Sequence, residues 1–358
     1  MRLRAAVCLV VVGLVLSTPS AAQEPVYRVG RWAADSFGNH RAVVSVNATA
    51  SAVWAHLPWR RPDLHPEAKA VWVVDAKTGQ RVLNVTRGSI TRESADIAFE
   101  PTSGAGEYYV YYLRYAGSVT SNYPKLTYPG PDSTASAAWL ALFDPRRMDR
   151  LPAARLVAFE AADTLDSFYP MQVIATATET SQVLARSPGK PFLVFPEDRT
   201  RPIVMPADLP RHWAERTGPP TLTGNALRGE FYAFQLGVWA ARRPLEDLRV
   251  GFAPLTGPLT TIPAAAVRCI NQGGVDWQGR EFTTPVSVAL GRIQPLWCGV
   301  QIPLDAQPGL YRGHVRVTAA GLEAVPVAVT LTVSPDTIRN AGADEPWRLA
   351  RLAWLDSR

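Results

Sequence analysis

Three pairs of adjacent carboxylates are the first residues in this sequence whose types suit acid–base chemistry: Glu197–Asp198, Glu246–Asp247 and Asp344–Glu345. Cleavage of a glycosidic bond needs a general acid and a second carboxylate facing each other across the bond, several ångströms apart. Neighbours on an extended strand instead point to opposite faces, and acids at a helix start are accounted for by the helix dipole. None of the three pairs is read as catalytic. The histidines at 40, 56, 65, 212 and 314 make no metal-ligand spacing, and His314 alternates with Arg312 and Arg316 on the solvent side of a strand. Cys-x-x-Cys, His-Glu-x-x-His, Gly-x-Ser-x-Gly and phosphate-loop patterns do not occur in the sequence. No catalytic residue, metal or cofactor is assigned.

Two loops carry binding chemistry. In "HLPWRRPD", Trp59 could stack on a sugar ring while Arg60, Arg61 and Asp63 bond its hydroxyls; in "GGVDWQGR", Trp277 could do the same beside Asp276 and Arg280. The competing role is internal: the tryptophans pin their loops to a core and the arginines form structural ion pairs, as the usual burial of large aromatics favours. Cys269 in "AVRCI" and Cys298 in "LWCGV" each share a side with apolar neighbours and should point inward. They form either a bridge across a sandwich or two buried thiols.

The elements that must position these residues read mainly as strands. "AVWVVDAKTGQRVLNV" is a hairpin signal, and "EYYVYYLRY", aromatic on both faces, fits a central strand covered on both sides. "MQVIATATETSQVLAR" fits a helix, and "PFLVFPEDRTRPIVM" looks like two short strands broken by a charged turn. Tyr232, Phe234, Leu236 and Val238 fall on one face of "EFYAFQLGVWA", as do Val325, Val327, Val329, Leu331 and Val333 of "AVPVAVTLTV", where Pro326 suggests a sheet edge. Phe231, Gln235 and Trp239 face the other way and need a cover. The expected fold class is mainly β: two antiparallel β-sandwich domains, the second immunoglobulin- or fibronectin-like, with a helical insertion in the first and a short C-terminal helix. The expected division is a first sandwich with a helical elaboration over 23–220, a second over 221–335, and over 336–358 a linker and the first helix of a catalytic domain that is missing.

Arg2 and Arg4, the 12-residue apolar run Ala5–Leu16 and small residues near Ala22 make residues 1–22 a secretory signal peptide, and the apolar run is too short to span a bilayer. Secretion or periplasmic location follows. Of 37 basic residues only four are lysines, but the arginines are scattered among acids, so neither nucleic acid nor a membrane span is expected. "DEPWRLARLAWLDSR" reads as the start of an amphipathic helix whose Trp347 and Trp354 need a surface elsewhere.

"GNHRAVVSV", "HLPWRRPD", "YYVYYLRY", "SNYP", "FYPMQVIATATE", "FPEDRTRPIVM", "GEFYAFQLGVWA", "GGVDWQGR", "LWCGVQIP" and "PGLYRGHVRV", in this order, resemble the N-terminal region of large secreted bacterial proteins similar to glycoside hydrolase family 123. The resemblance implies action on N-acetylgalactosaminides by an Asp-Glu pair in a C-terminal (β/α)-barrel, with the substrate's acetamido group assisting. Asp344 and Glu345 match that pair in letters but not in context. The chain is expected to be a non-catalytic accessory region supporting carbohydrate hydrolysis by a barrel that it lacks. The alternative is a free-standing carbohydrate-binding or cell-surface adhesion module. Expected partners are a carbohydrate, such as a glycan containing N-acetylgalactosamine, and the barrel itself.

Overall fold

The computed structural model describes residues 25–47, 49–118, 125–276, 278–345 and 347. Residues 1–22, read from sequence as a signal peptide, lie outside the described residues, as does the expected terminal helix apart from Trp347, which is exposed.

Alternation of β-branched and aromatic residues builds the first block from β1 (Val26–Val29), β2 (His40–Val46), β3 (Val53–Leu57), β4 (Trp72–Asp75), β5 (Arg81–Val82), β6 (Val85–Ile90), β7 (Ala95–Phe99), β8 (Gly106–Tyr111), β9 (Ala116–Ser118), β10 (Lys125–Thr127) and β11 (Arg155–Ala161). One sheet runs β1-β11-β2-β8-β4-β5 and faces a second, β3-β7-β6. Between them Val44, Val53, Ile97, Phe99, Val110 and Phe159 are fully buried. Strand β8 is central, as its two-faced aromatic pattern predicts, and β4 and β5 form the expected hairpin. Two short helices, α1 (Ala34–Phe37) and α2 (Ala137–Leu140), flank this block.

The helical insertion is present as α3 (Ala177–Arg186), started by a reciprocal capping box between Thr176 and Glu179. After it come β12 (Leu193–Asp198), α4 (Arg211–Ala214), β13 (Thr221–Arg228), β14 (Phe231–Trp239), β15 (Arg249–Phe252), β16 (Leu255–Thr256), β17 (Thr261–Ile262), β18 (Val267–Cys269), β19 (Gly273–Val275), β20 (Glu281–Thr283), β21 (Ile293–Gln301), β22 (Gly309–Thr318) and β23 (Val325–Thr337). The sheet β12-β14-β21-β18 packs on a sheet in which β13, β23, β22 and β16 are successive neighbours. Tyr232, Phe234, Leu236, Val238, Val327, Val329, Leu331 and Val333 fill the space between, on the faces that the alternation indicated. The outward Phe231 and Trp239 are also buried, and Trp239 belongs to a satellite core formed with α3 and α4.

Both blocks use the same corner device. Tyr108 Oη donates to Gly104 O at 3.1 Å and Tyr311 Oη to Gln307 O at 3.0 Å, four residues upstream in each case. Each tyrosine follows a Gly-x pair whose glycine has positive φ, +151° at Gly106 and +141° at Gly309, where a side chain would be strained. Such tyrosine corners accompany Greek-key sandwiches of immunoglobulin type.

Several expectations are corrected. Strand β12, which the sequence division places in the first block, is the edge of the second block's sheet and pairs with β14 from Leu193↔Trp239 to Asp198↔Phe234. "RPIVM" after it is not a strand; its backbone bonds a side chain instead, with Ile203 N donating to Gln235 Oε1. Pro326 is not on an edge strand, because β23 lies between β22 and β13. It is tolerated because β13 pairs only from Ala328 onward, leaving the Pro326 side open. The sheets are not wholly antiparallel, since β1 runs parallel to β11 and β13 to β23. Both parallel pairs join segments far apart in sequence, as parallel pairing requires.

Candidate functional site: an arginine-lined cleft and two loops

The residues of "HLPWRRPD" meet one another and the rest of the chain. Trp59 is 3% exposed and its Nε1 donates to Thr91 O at 2.8 Å. Arg61, also 3% exposed, lies 4.5 Å from the Trp59 ring and 5.1 Å from that of Tyr112, and forks onto both oxygens of Asp63 at 2.7 Å. Burial would raise the Asp63 pKa, but the hydrogen bonds and charges of Arg61 and Lys69 outweigh it and hold the carboxyl below its usual range. Arg60, in the left-handed region at φ 49°, reaches across to α3 and clasps Glu179 at 2.6 and 2.9 Å. Burial raises Glu179 too, yet Arg60 and the Thr176 backbone bring it below the ordinary glutamate value. A second fork, Arg92 on Asp208 at 2.8 and 2.7 Å, and a bond from Ala177 N to Glu93 Oε1 at 2.7 Å complete the contact. This loop and the turn between β6 and β7 thus clamp the segment that carries α3 and α4.

The second loop is the turn of the β19–β20 hairpin. Asp276 accepts from Gln278 N and Arg280 N at 2.9 Å and from Arg280 Nε at 2.9 Å, and these bonds, led by that from the Arg280 backbone, lower its pKa. Trp277 lies outside the described residues. Val275 and Phe282 stand exposed on the hairpin.

The cysteines do not bridge the sandwich. They face each other within one sheet, Cys269 on β18 opposite Cys298 on β21, and both are free thiols.

A cleft of about 1080 Å³ opens between β12 and β13, the edge strands of the two sheets. Glu197, one of its lining residues, is 2% exposed, and its Oε1 accepts from Trp213 Nε1 at 2.7 Å and from Arg216 Nη2 at 2.5 Å. Arg201 Nη1 lies 3.9 Å from the other carboxylate oxygen. Arg216 also donates to Pro196 O at 2.7 Å, covering an edge carbonyl of β12, and to His212 Nε2 at 2.8 Å. Arginine has no acceptor, so His212 must accept there and be neutral; burial, then the Arg216 charge, lower its pKa. Trp213 stacks on Phe195 at 4.6 Å between centroids with 5° between planes. Only glycine fits beneath it: a Cβ at Gly237 would come within 2.1 Å of its ring.

Sequence reasoning weighed Glu197 only as half of an acidic pair and His212 only as a metal ligand, and missed Trp213, Arg216 and Arg201. A glycine interrupting the strand "FQLGVW" was the available signal, because glycine inside a strand marks a close approach.

The carboxylates among the lining residues are Glu197 and Asp198. Asp198 accepts from Thr200 N at 2.9 Å in the following turn, and Glu197 is held by its tryptophan and arginine. That is not the facing pair of glycosidic cleavage. Arg186, Lys190, Arg201 and Arg216 give the cleft an excess of positive charge, which suits recognition of anionic or hydroxyl-rich groups. No group of three or more His, Cys, Asp or Glu among the described residues is placed to hold a metal ion, and no helix among them is long and apolar enough to cross a membrane.

The fold is thus a mainly β, sandwich-built region with a positively charged cleft. Residues 30–162, which hold most of the first block, match the family model described as "Glycoside hydrolase 123, N-terminal domain". No curated protein matches the chain. Among solved structures, a family 123 glycoside hydrolase from Clostridium perfringens matches at 14% identity over 40% of this chain and 27% of that one, with a TM-score of 0.30. The PapD-like domain 7 of human CEP192 matches at 12% over 33% of this chain and 82% of that one, TM-score 0.24, and the SrpA adhesin of Streptococcus sanguinis at 12% over 33% and 60%, TM-score 0.21. These scores fall short of a shared overall fold. This chain spans about a quarter of the Clostridium enzyme's length.

Proposed function

We propose that the chain is the non-catalytic N-terminal accessory region of a secreted glycoside hydrolase of family 123 type, supporting carbohydrate hydrolysis by a C-terminal barrel. The observation that carries this reading is the family match over residues 30–162. Two features of the molecule support it. The Arg60–Glu179 and Arg92–Asp208 forks fasten the insertion, and through it the second sandwich, to the first, as a rigid platform for a further domain requires. The carboxylates lining the cleft are neighbours on one strand, held by internal hydrogen bonds.

The platform would be two units, a sandwich up to about residue 161 and another beginning with β12, joined by the insertion. Carbohydrate contact is assigned to the exposed hairpin with Asp276, Trp277 and Arg280. Trp59, Arg60, Arg61 and Asp63 serve the clamp.

Reading the encoding DNA past the codon for Arg358 tests the proposal: an open frame of several hundred codons encoding a barrel supports it, and an immediate stop codon overturns it. A glycan array on the purified chain tests the adhesion alternative, which micromolar binding to a defined glycan without any partner domain would favour.

A further inference from the structure

We infer that Cys269 and Cys298 form a dithiol site that closes, by exchange with an external disulfide, into a cross-strand link fastening the base of the β19–β20 hairpin. The inference rests on register and stands independently of the proposed function. Strands β18 and β21 are antiparallel, with Val267 opposite Val300, Arg268 opposite Gly299 and Cys269 opposite Cys298. Directly opposed residues in such a ladder have Cα atoms about 4.5–5.5 Å apart, inside the roughly 4.4–6.8 Å window of disulfides. Both side chains also point the same way. Cys298 is 1% exposed in the sandwich core, and Cys269 packs against that core while staying half-buried at its margin.

The two thiols differ in a way that orders the chemistry. The neighbouring Cys298 thiol is the largest influence lowering the Cys269 pKa, with backbone hydrogen bonds from Asn271 and Gln272 adding to it against the effect of burial. Burial raises that of Cys298. Cys269, accessible and richer in thiolate, attacks one sulfur of a low-molecular-weight disulfide such as oxidised glutathione. An S–S bond forms to Cys269 and one glutathione thiolate leaves. Cys298 then loses its proton to solvent and attacks the Cys269 sulfur, expelling the second glutathione. Two protein thiols are oxidised and one glutathione disulfide is reduced to two thiols.

The link would sit where the fold needs it. Strand β18 is a three-residue edge strand, and beyond it the chain leaves the sheet for the hairpin and returns only at β21. Asn271, bonding Pro295 O and Trp297 N at 2.8 Å, is what now ties the departing chain to β21.

The test uses the full chain carrying Cys8→Ser, which leaves these two cysteines alone. After equilibration with oxidised glutathione, thiols are counted by maleimide mass tagging in denaturant. The expected result is loss of both thiols together, a mass lower by two hydrogens, and one peptide joining positions 269 and 298 until reduction. A nick within the hairpin should then leave the fragments joined. Cys298→Ser should stop at a glutathione adduct on Cys269, and Cys269→Ser should leave Cys298 untouched in the folded chain. Raising the pH should shorten the life of the mixed disulfide, because the resolving thiol is the one held protonated. Two free thiols under oxidising conditions, or a stable glutathione adduct on Cys269 with Cys298 present, would overturn the inference.

Discussion

Glu197 shows how one residue's role depends on what tertiary structure brings to it. In sequence it is half of an acidic pair; in the fold it is a buried carboxylate held by Trp213, 16 positions away, and by Arg216. Replacing it with glutamine keeps an acceptor for the indole but removes the partner of Arg216, so Glu197→Gln should destabilise the chain by about 2–4 kcal/mol in urea unfolding. A change below about 0.5 kcal/mol would show that the ion pair is not part of the second block's stability. Histidine burial gives a second prediction at this scale. His40, mainly through burial, and His212, through burial and then Arg216, both have pKa values lowered from 6.5. The unfolded chain therefore takes up these protons first, so the stability they leave intact above pH 6.5 is lost as pH falls through the lowered folded values. Urea midpoints should decline from pH 7.5 to pH 5.5, and His40→Gln should flatten part of that decline. An unchanged slope in the variant would contradict the assignment. Little of this was legible in the sequence: Trp59 and Arg61 look alike whether they await a sugar or each other, and Thr91 O and Tyr112, which decide it, lie far along the chain.

Elements were more legible than their partners. Period-two alternation identified which faces of "EFYAFQLGVWA" and "AVPVAVTLTV" are buried, since each strand carries its own pattern. It could not say that β12 belongs beside β14, because "PFLVFPED" is apolar whichever sheet receives it. The Gly-x-Tyr corners of both blocks were readable in principle, the glycine freeing φ and the tyrosine reaching back four residues. The clamp between the first sandwich and α3 is testable as an element-level device. Glu179→Gln preserves the capping box, since glutamine also caps, and removes only the charge that faces Arg60. In a double-mutant cycle with Arg60→Gln, the coupling energy should be about 1–2 kcal/mol, because both side chains are mostly shielded from water. A coupling near zero would mean that the fork does not fasten the insertion.

For the whole molecule, the clamp and the displaced β12 alter how the chain should come apart. Thr217, Gly218 and Pro219 are exposed between α4 and β13 and are natural sites for protease nicking. Because β12 lies N-terminal to that point yet pairs with β14 beyond it, the two fragments should remain one particle in gel filtration and separate only in denaturant. Separation under native conditions would contradict the described pairing. The proposed function makes the positive cleft, the clamped sandwiches and the β19–β20 hairpin a scaffold for binding and leaves hydrolysis to a further domain. The most direct test of that claim is a turnover assay of the purified chain on a chromogenic N-acetylgalactosaminide. The account predicts a rate no greater than the uncatalysed one, identical in wild type and Glu197→Gln; turnover by the wild type that Glu197→Gln abolishes would contradict it.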